Sequence, residues 1–150
     1  MATDPEASEV VLCDTSFISR QEASLRHPER LAHWSRAVLE RLDAAVLAIS
    51  VFSLAEIRAG RIHAQWGQQR ADAQEARLAA FLLVPLDENV LAEYSVLHAW
   101  ALGGRARNHN DLWIAATAIA RGIPLASCDQ HFEEIARDHA LHHIYLPATP

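Results

Sequence analysis

Five short apolar runs alternate along the chain with longer stretches of helical period, and this alternation limits the fold more than any other feature. The runs are Glu9-Val-Val-Leu-Cys-Asp14, Val46 to Ser50, Phe81 to Leu86, Pro124 to Cys128 and His142 to Leu146. Each is too short for a buried helix and too continuously apolar for a strand with one face in water. Strands separated by helices long enough to cross over form parallel pairs, and a parallel sheet must be covered on both faces. The expectation is an α/β domain whose ligands lie beyond the carboxyl ends of the strands.

The intervening stretches read as helices. Pro28 to about Asp43 places Leu31, Trp34, Val38, Leu39 and Leu42 on one face. Ser53-Leu-Ala-Glu56 matches a capping box opening a long helix through Trp66 to Arg77, with Gly60 and Gly67 as points where it bends or splits. Asp87 caps a helix that ends at Gly103-Gly104. A polar loop, Arg105 to Asn110, leads into Asp111, which begins an apolar helix closed by Gly122; a short helix from about Gln130 to Asp138 precedes the last strand. At 150 residues this is one domain, 1–150, with its core at about 9–146; the first eight residues and the Pro147 to Pro150 tail look expendable.

Composition removes several chemistries. All 13 basic residues are Arg, which excludes a Walker A loop, Schiff-base catalysis and phosphatases that need a Lys beside their aspartates. A net charge of -6 argues against coating nucleic acid by bulk electrostatics, so such contact must be local or bridged by a cation. The two cysteines, Cys13 and Cys128, make no disulfide framework and lie inside apolar strands, where a thiolate is disfavoured. No run is long enough to span a bilayer and the first residues do not form a signal peptide, so a cytoplasmic location without membrane partners is expected. His139, His142 and His143 lack the spacing of a zinc site.

Chemistry is left to the acids. Asp14 and Asp129 each follow an apolar strand that ends in Cys and each opens a loop or helix. If the two strands are neighbours, the carboxylates converge while the cysteines point to the other face. Converging aspartates repel unless a divalent cation lies between them or one stays protonated, and all-oxygen ligands suit Mg²⁺ or Mn²⁺. Glu56 and Asp111 lie at the same edge by topology. Each acid has an ordinary structural role open to it: an N-cap for Asp129, a first-turn acid for Asp111, the capping box for Glu56, an Asx turn for Asp14. Four such coincidences at one edge are less economical than one metal site.

Four blocks carry a resemblance: Leu12-Cys-Asp14-Thr15-Ser16, Ile49 to Gly60, Asn110 to Ala118 and Leu125 to Phe132. In order, spacing and overall length they resemble PIN-domain ribonucleases, closest to VapC toxins of VapBC toxin-antitoxin systems. That resemblance implies a PIN-like three-layer fold, with a central parallel sheet of four to five strands in the order 3-2-1-4-5 flanked by helices. It implies Mg²⁺ or Mn²⁺ bound by the acids Asp14, Glu56, Asp111 and Asp129, with Ser16 assisting. It also implies an RNA substrate such as tRNA or rRNA, a VapB-like antitoxin and a homodimer. With no Lys in the chain, Arg20, Arg58, Arg61, Arg105 and Arg107 are the cations available to meet RNA, with a solvated surface charge the ordinary alternative and an acidic antitoxin tail or second subunit equally open to Arg58 and Arg61; the helices bearing Leu31, Trp34 and Val38, and Trp66, are candidates for an antitoxin groove or dimer surface, with core packing the stronger alternative for each. The rival readings are a catalytically silent PIN-like protein that binds RNA or a partner, and a structure-specific DNA nuclease of related fold, whose extra acids and DNA-binding helices this chain has no room for.

Overall fold

A computed structural model describes residues 8–105 and 108–150. Its elements run β1 (Val10–Cys13), α1 (Thr15–Ser24), a 3-10 turn (Pro28–Leu31), α2 (Arg36–Ala44), β2 (Val46–Ser50), α3 (Val51–His63) and α4 (Gln68–Leu78). They continue with β3 (Leu82–Val84), α5 (Glu88–Leu102), α6 (His109–Arg121), β4 (Leu125–Ser127), α7 (Phe132–Asp138) and β5 (His143–Tyr145). The five strands pair in parallel in the order β3-β2-β1-β4-β5, with Cys13 opposite Ile49 on one side and Ala126 on the other.

The two-residue strand period divides the core into two layers. Leu12, Ala48 and Leu125 face Leu97 of α5, Leu112 and Ala115 of α6, and Phe132 of α7. Val11, Cys13, Ile49 and Ala126 face Phe17 and Ile18 of α1, Trp34, Leu42 of α2, Ile57 of α3 and Leu78 of α4. Helices therefore cover both faces, which gives a three-layer α/β fold with the strand order expected from the resemblance.

Several boundaries differ from the sequence expectation. Ser50, at the end of β2, caps α3 by accepting a hydrogen bond from Ser53 N at 3.1 Å. The capping box at Ser53 and Glu56 does not form, and Glu56 lies in the second turn with its carboxylate unneeded at the cap. The long helix divides at residues 64–67, where Gln65 adopts a positive φ of 53° and Gly67 caps α4, while Gly60 remains inside α3. The expected helix from Pro28 to Asp43 is a 3-10 turn followed by α2. Between those pieces, Trp34 turns into the core and stacks on Phe17 with ring centroids 5.8 Å apart.

Asp87 does cap α5, through Val90 N at 3.0 Å. Gly122 closes α6 in the left-handed conformation that favours glycine. Asn108 caps α6 through Asn110 N, so Asp111 lies inside the first turn and does not begin the helix.

The C-terminal tail is tied down, contrary to the expectation that it is expendable. Trp34 Nε1 donates to Pro147 O at 2.8 Å, His33 Nε2 lies 2.7 Å from the same oxygen, and Arg20 donates to Ala148 O.

Candidate active site

Because β1 and β4 are neighbours, the residues that follow them meet at one edge. Asp14 is the N-cap of α1 and is nearly buried, at 4% exposure. Its Oδ1 accepts from Phe17 N at 2.9 Å and from Ser16 Oγ at 2.7 Å, and its Oδ2 accepts from Ser127 Oγ at 2.8 Å. Burial raises the carboxyl pKa and the charge of Asp129 adds to it, while these donors oppose the rise.

The same hydroxyls reach the other strand end. Ser127 Oγ accepts from Asp129 N at 2.9 Å, and Ser16 Oγ accepts from Cys128 N at 3.0 Å. Two serines thus lock the backbone after β4 to the carboxylate after β1. Asp129 Oδ1 in turn accepts from His131 N at 2.8 Å, with His131 Nδ1 3.1 Å from the same oxygen.

The other two acids approach from helices. Glu56 Oε1 accepts from Thr15 Oγ1 at 3.0 Å, which places the second turn of α3 against the start of α1. Asp111 is half-buried, and its carboxyl pKa is pushed up to about 6 by burial first, then by the charges of Asp129, Glu56 and Asp14. Like charges raise a carboxyl in this way only at close range, so the four acids share one electrostatic field.

All four expected acids and Ser16 therefore gather at one strand edge. Ser127 was missed: it is fully buried and central to the site, and its signal was a polar residue inside an apolar strand, two positions from Asp129. The cysteines face away, in the core layer on the α1 side; burial raises both thiols, that of Cys128 to about 11.

Carboxylate oxygens are hard donors of the kind Mg²⁺ and Mn²⁺ take, and their mutual repulsion gives a cation something to neutralise. Among the described residues, no three His, Cys, Asp or Glu side chains already stand at the separation of a shared ion. The donor set fits a cation bound by one or two carboxylates, with water completing the shell and the remaining acids acting through water, as is usual for Mg²⁺.

Four of the arginines available to RNA have partners within the chain. Arg58 and Arg61 pair with Glu75, Arg105 with Glu134 and Asp138, and Arg20 holds the tail; Arg107 lies outside the described residues. Trp34 is in the core, and Leu31 and Val38 pack against it, in line with the core-packing alternative. Trp66 does line a groove, formed by α1, α3 and α4.

Comparison with known proteins agrees with this architecture. The PIN domain profile matches residues 11–138. Ribonuclease VapC4 of Mycobacterium tuberculosis is 31% identical over 128 residues, covering 81% of this chain and 87% of that protein. The VapBC2 structure from Rickettsia felis, bound to a DNA fragment from its promoter, superposes with a TM-score of 0.71 at 20% identity over 91% of this chain and 98% of that one. VapBC-1 from nontypeable Haemophilus influenzae gives 0.70 at 20% identity, over 91% and 97%. With the strand order, the acid-bearing edge and these matches in agreement, the chain belongs to the PIN domain family, and within it to the VapC type.

Proposed function

We propose that this chain is a metal-dependent endoribonuclease, the toxin of a VapBC-type pair, which hydrolyses RNA phosphodiester bonds at the edge bearing Asp14, Glu56, Asp111 and Asp129. One observation carries the reading: Ser16 and Ser127 tie the Asp14 carboxylate to the backbone that bears Asp129, at the edge where Thr15 also holds Glu56 and the first turn of α6 brings Asp111. Like charges brought to one edge oppose folding until a cation neutralises them. The named similarity to ribonuclease VapC4 supplies the substrate class, and the recurrence of VapBC complexes among the structural neighbours supplies the partner, a VapB-like antitoxin.

A divalent cation, Mg²⁺ or Mn²⁺, would supply charge opposite the phosphoryl oxygens and lower the pKa of the attacking water. Asp14, Asp111 and Asp129 would hold it, directly or through water. Asp14 is held rigid by Ser16, Ser127 and Phe17 N, so it fixes the position of the site. Glu56, steadied by Thr15, would orient the attacking water. Asp111, in the first turn of α6, would share the cation with Asp14 and Asp129. Ser16 and Ser127 are positioning residues: each bonds Asp14 and a backbone N–H after β4.

The test is cleavage of total RNA by the purified, antitoxin-free chain with Mg²⁺ or Mn²⁺, in parallel with EDTA and with Asp14→Asn and Asp111→Asn. Discrete products lost in EDTA and in both variants are expected. Cleavage that survives both substitutions would discard the assigned site, and folded protein inactive under every condition would favour a binding role.

A further inference from the structure

His143 is a buried titratable group that the candidate site does not use. It lies in β5, opposite Leu125 of β4, with its side chain 1% exposed. Neither ring nitrogen completes a hydrogen bond among the described residues. Glu133 Oε1 of α7 comes within 2.7 Å of Nδ1, without the alignment of a hydrogen bond. The ring is tilted against Phe132 and against Tyr145, with centroids 5.7 Å away in each case. Buried polar groups in packed proteins have partners, and a ring held dry without them tolerates the neutral form far better than the charged one.

The groups around the ring leave that balance in place. Glu133 from α7 and Asp129 from the turn before it favour a proton on the ring, His142 beside it in sequence opposes one, Tyr145 brings a phenol, and β4 presents the apolar Leu125. Burial is the largest influence and holds the pKa below 6.5, with Glu133 opposing. The same place carries the joint between α7 and the site. Phe132, the first residue of α7, is fully buried, and its N–H reaches back to Asp129 O at 3.4 Å. The chain at β5 is bonded to the strand that leads to Asp129, through Leu125 N to His142 O and Leu146 N to Ser127 O, both at 2.9 Å.

We infer that His143 is a proton-sensitive pin: neutral, it seats α7 on β5, and on gaining a proton it leaves that seat and loosens α7 together with the turn that carries Asp129. The opened form, with the ring in water, takes up the proton more readily than the closed one. The closed form therefore loses stability as pH falls through 6.5, until the lower folded value is passed. One proton limits the change to about tenfold in the opening equilibrium per pH unit. Loss of charge among the site acids on acidification acts in the opposite sense, because it relieves their repulsion. The pin belongs to the frame of the site and operates whether or not RNA is the substrate.

The test is amide hydrogen exchange of the full chain in EDTA between about pH 5 and 8, with rates corrected for intrinsic exchange and read on peptides covering residues 130–146. In wild type, protection in α7 and β5 should fall as pH drops below about 6.5, by up to about tenfold per unit. His143→Phe and His143→Gln, neither of which titrates, should each remove that dependence. Nitrogen-15 spectra of the wild-type histidine rings, which require no variant, should show the His143 ring mostly neutral at pH 6.5. Wild-type protection in α7 that does not change with pH would overturn the inference. So would a pH dependence that survives in a folded His143 variant, or a charged His143 ring while α7 stays protected.

Discussion

Asp111→Asn should abolish cleavage and yet stabilise the metal-free protein. A carboxyl raised from 3.8 to about 6 binds its proton more tightly in the folded chain than in the unfolded one. Folding is therefore unpenalised below the unfolded value, loses stability as pH rises through the window between the two, and carries the full penalty above about 6. The shift corresponds to about 3 kcal/mol at about 1.4 kcal/mol per pH unit. Asp111 is only half-buried, so solvent screening reduces this to roughly 1–2 kcal/mol. Asn keeps the shape and carries no charge. In EDTA at about pH 8 the variant should melt roughly 2–8 °C above wild type, and at about pH 3 the two should coincide. Mg²⁺ should raise the melting temperature of wild type at the higher pH and that of the variant much less. Thermal melts by circular dichroism at both pH values, with and without Mg²⁺, measure all of this. An unchanged or lower melting temperature for Asp111→Asn at the higher pH, or a difference that does not vary with pH, would refute the clustering argument.

Ser127→Ala removes a donor from Asp14 and leaves Asp129 N without its acceptor, so it should cost about 1–3 kcal/mol in a denaturant melt. It should also move the acidic limb of the cleavage pH profile upward, because Asp14 loses a bond that favours its ionised form. Glu75 is held down to about 2 from 4.5, chiefly by its hydrogen bond from Arg58, so its stabilising effect is present above 4.5 and lost as pH falls towards 2. Glu75→Gln should flatten that part of the stability profile, as read by acid titration of the helical signal. Truncation after Leu146 should cost about 1–3 kcal/mol, because the buried Trp34 indole loses Pro147 O; Trp34→Phe should recover part of the loss, both read in urea melts.

The parallel sheet was legible because its strands are short and apolar on both faces, and because the acids follow strand ends that topology brings together. Boundaries were less legible wherever a tertiary contact decided them. Ser53-Leu-Ala-Glu56 satisfies the local rule for a helix start, but Ser50 lies at the end of a strand already fixed by its pairing with β1 and β3, so the cap forms three residues earlier. That shift frees Glu56 to meet Thr15. Similarly, Leu31, Trp34 and Val38 keep helical spacing across a real break, because a 3-10 turn and a short helix can deliver the same side chains to one core.

The site itself was legible in its charges and not in its supports. A carboxylate beyond a strand end stands out in a sequence because burial of an unpaired acid is costly. A buried serine does not, since a hydroxyl fits a strand at little visible expense. Yet at 4% exposure Asp14 has little water to satisfy its oxygens, and Ser16, Ser127 and Phe17 N take that role. The arginines posed the opposite difficulty. The absence of Lys left Arg58 and Arg61 among the cations available to RNA, but Glu75 on α4 engages both, across the helix break that ends at Gly67. Where two helices fold back on one another, acids on one engage the arginines of the other, and among the described residues of the groove wall Arg26, Arg30 and Arg70 are the arginines that make no ion pair.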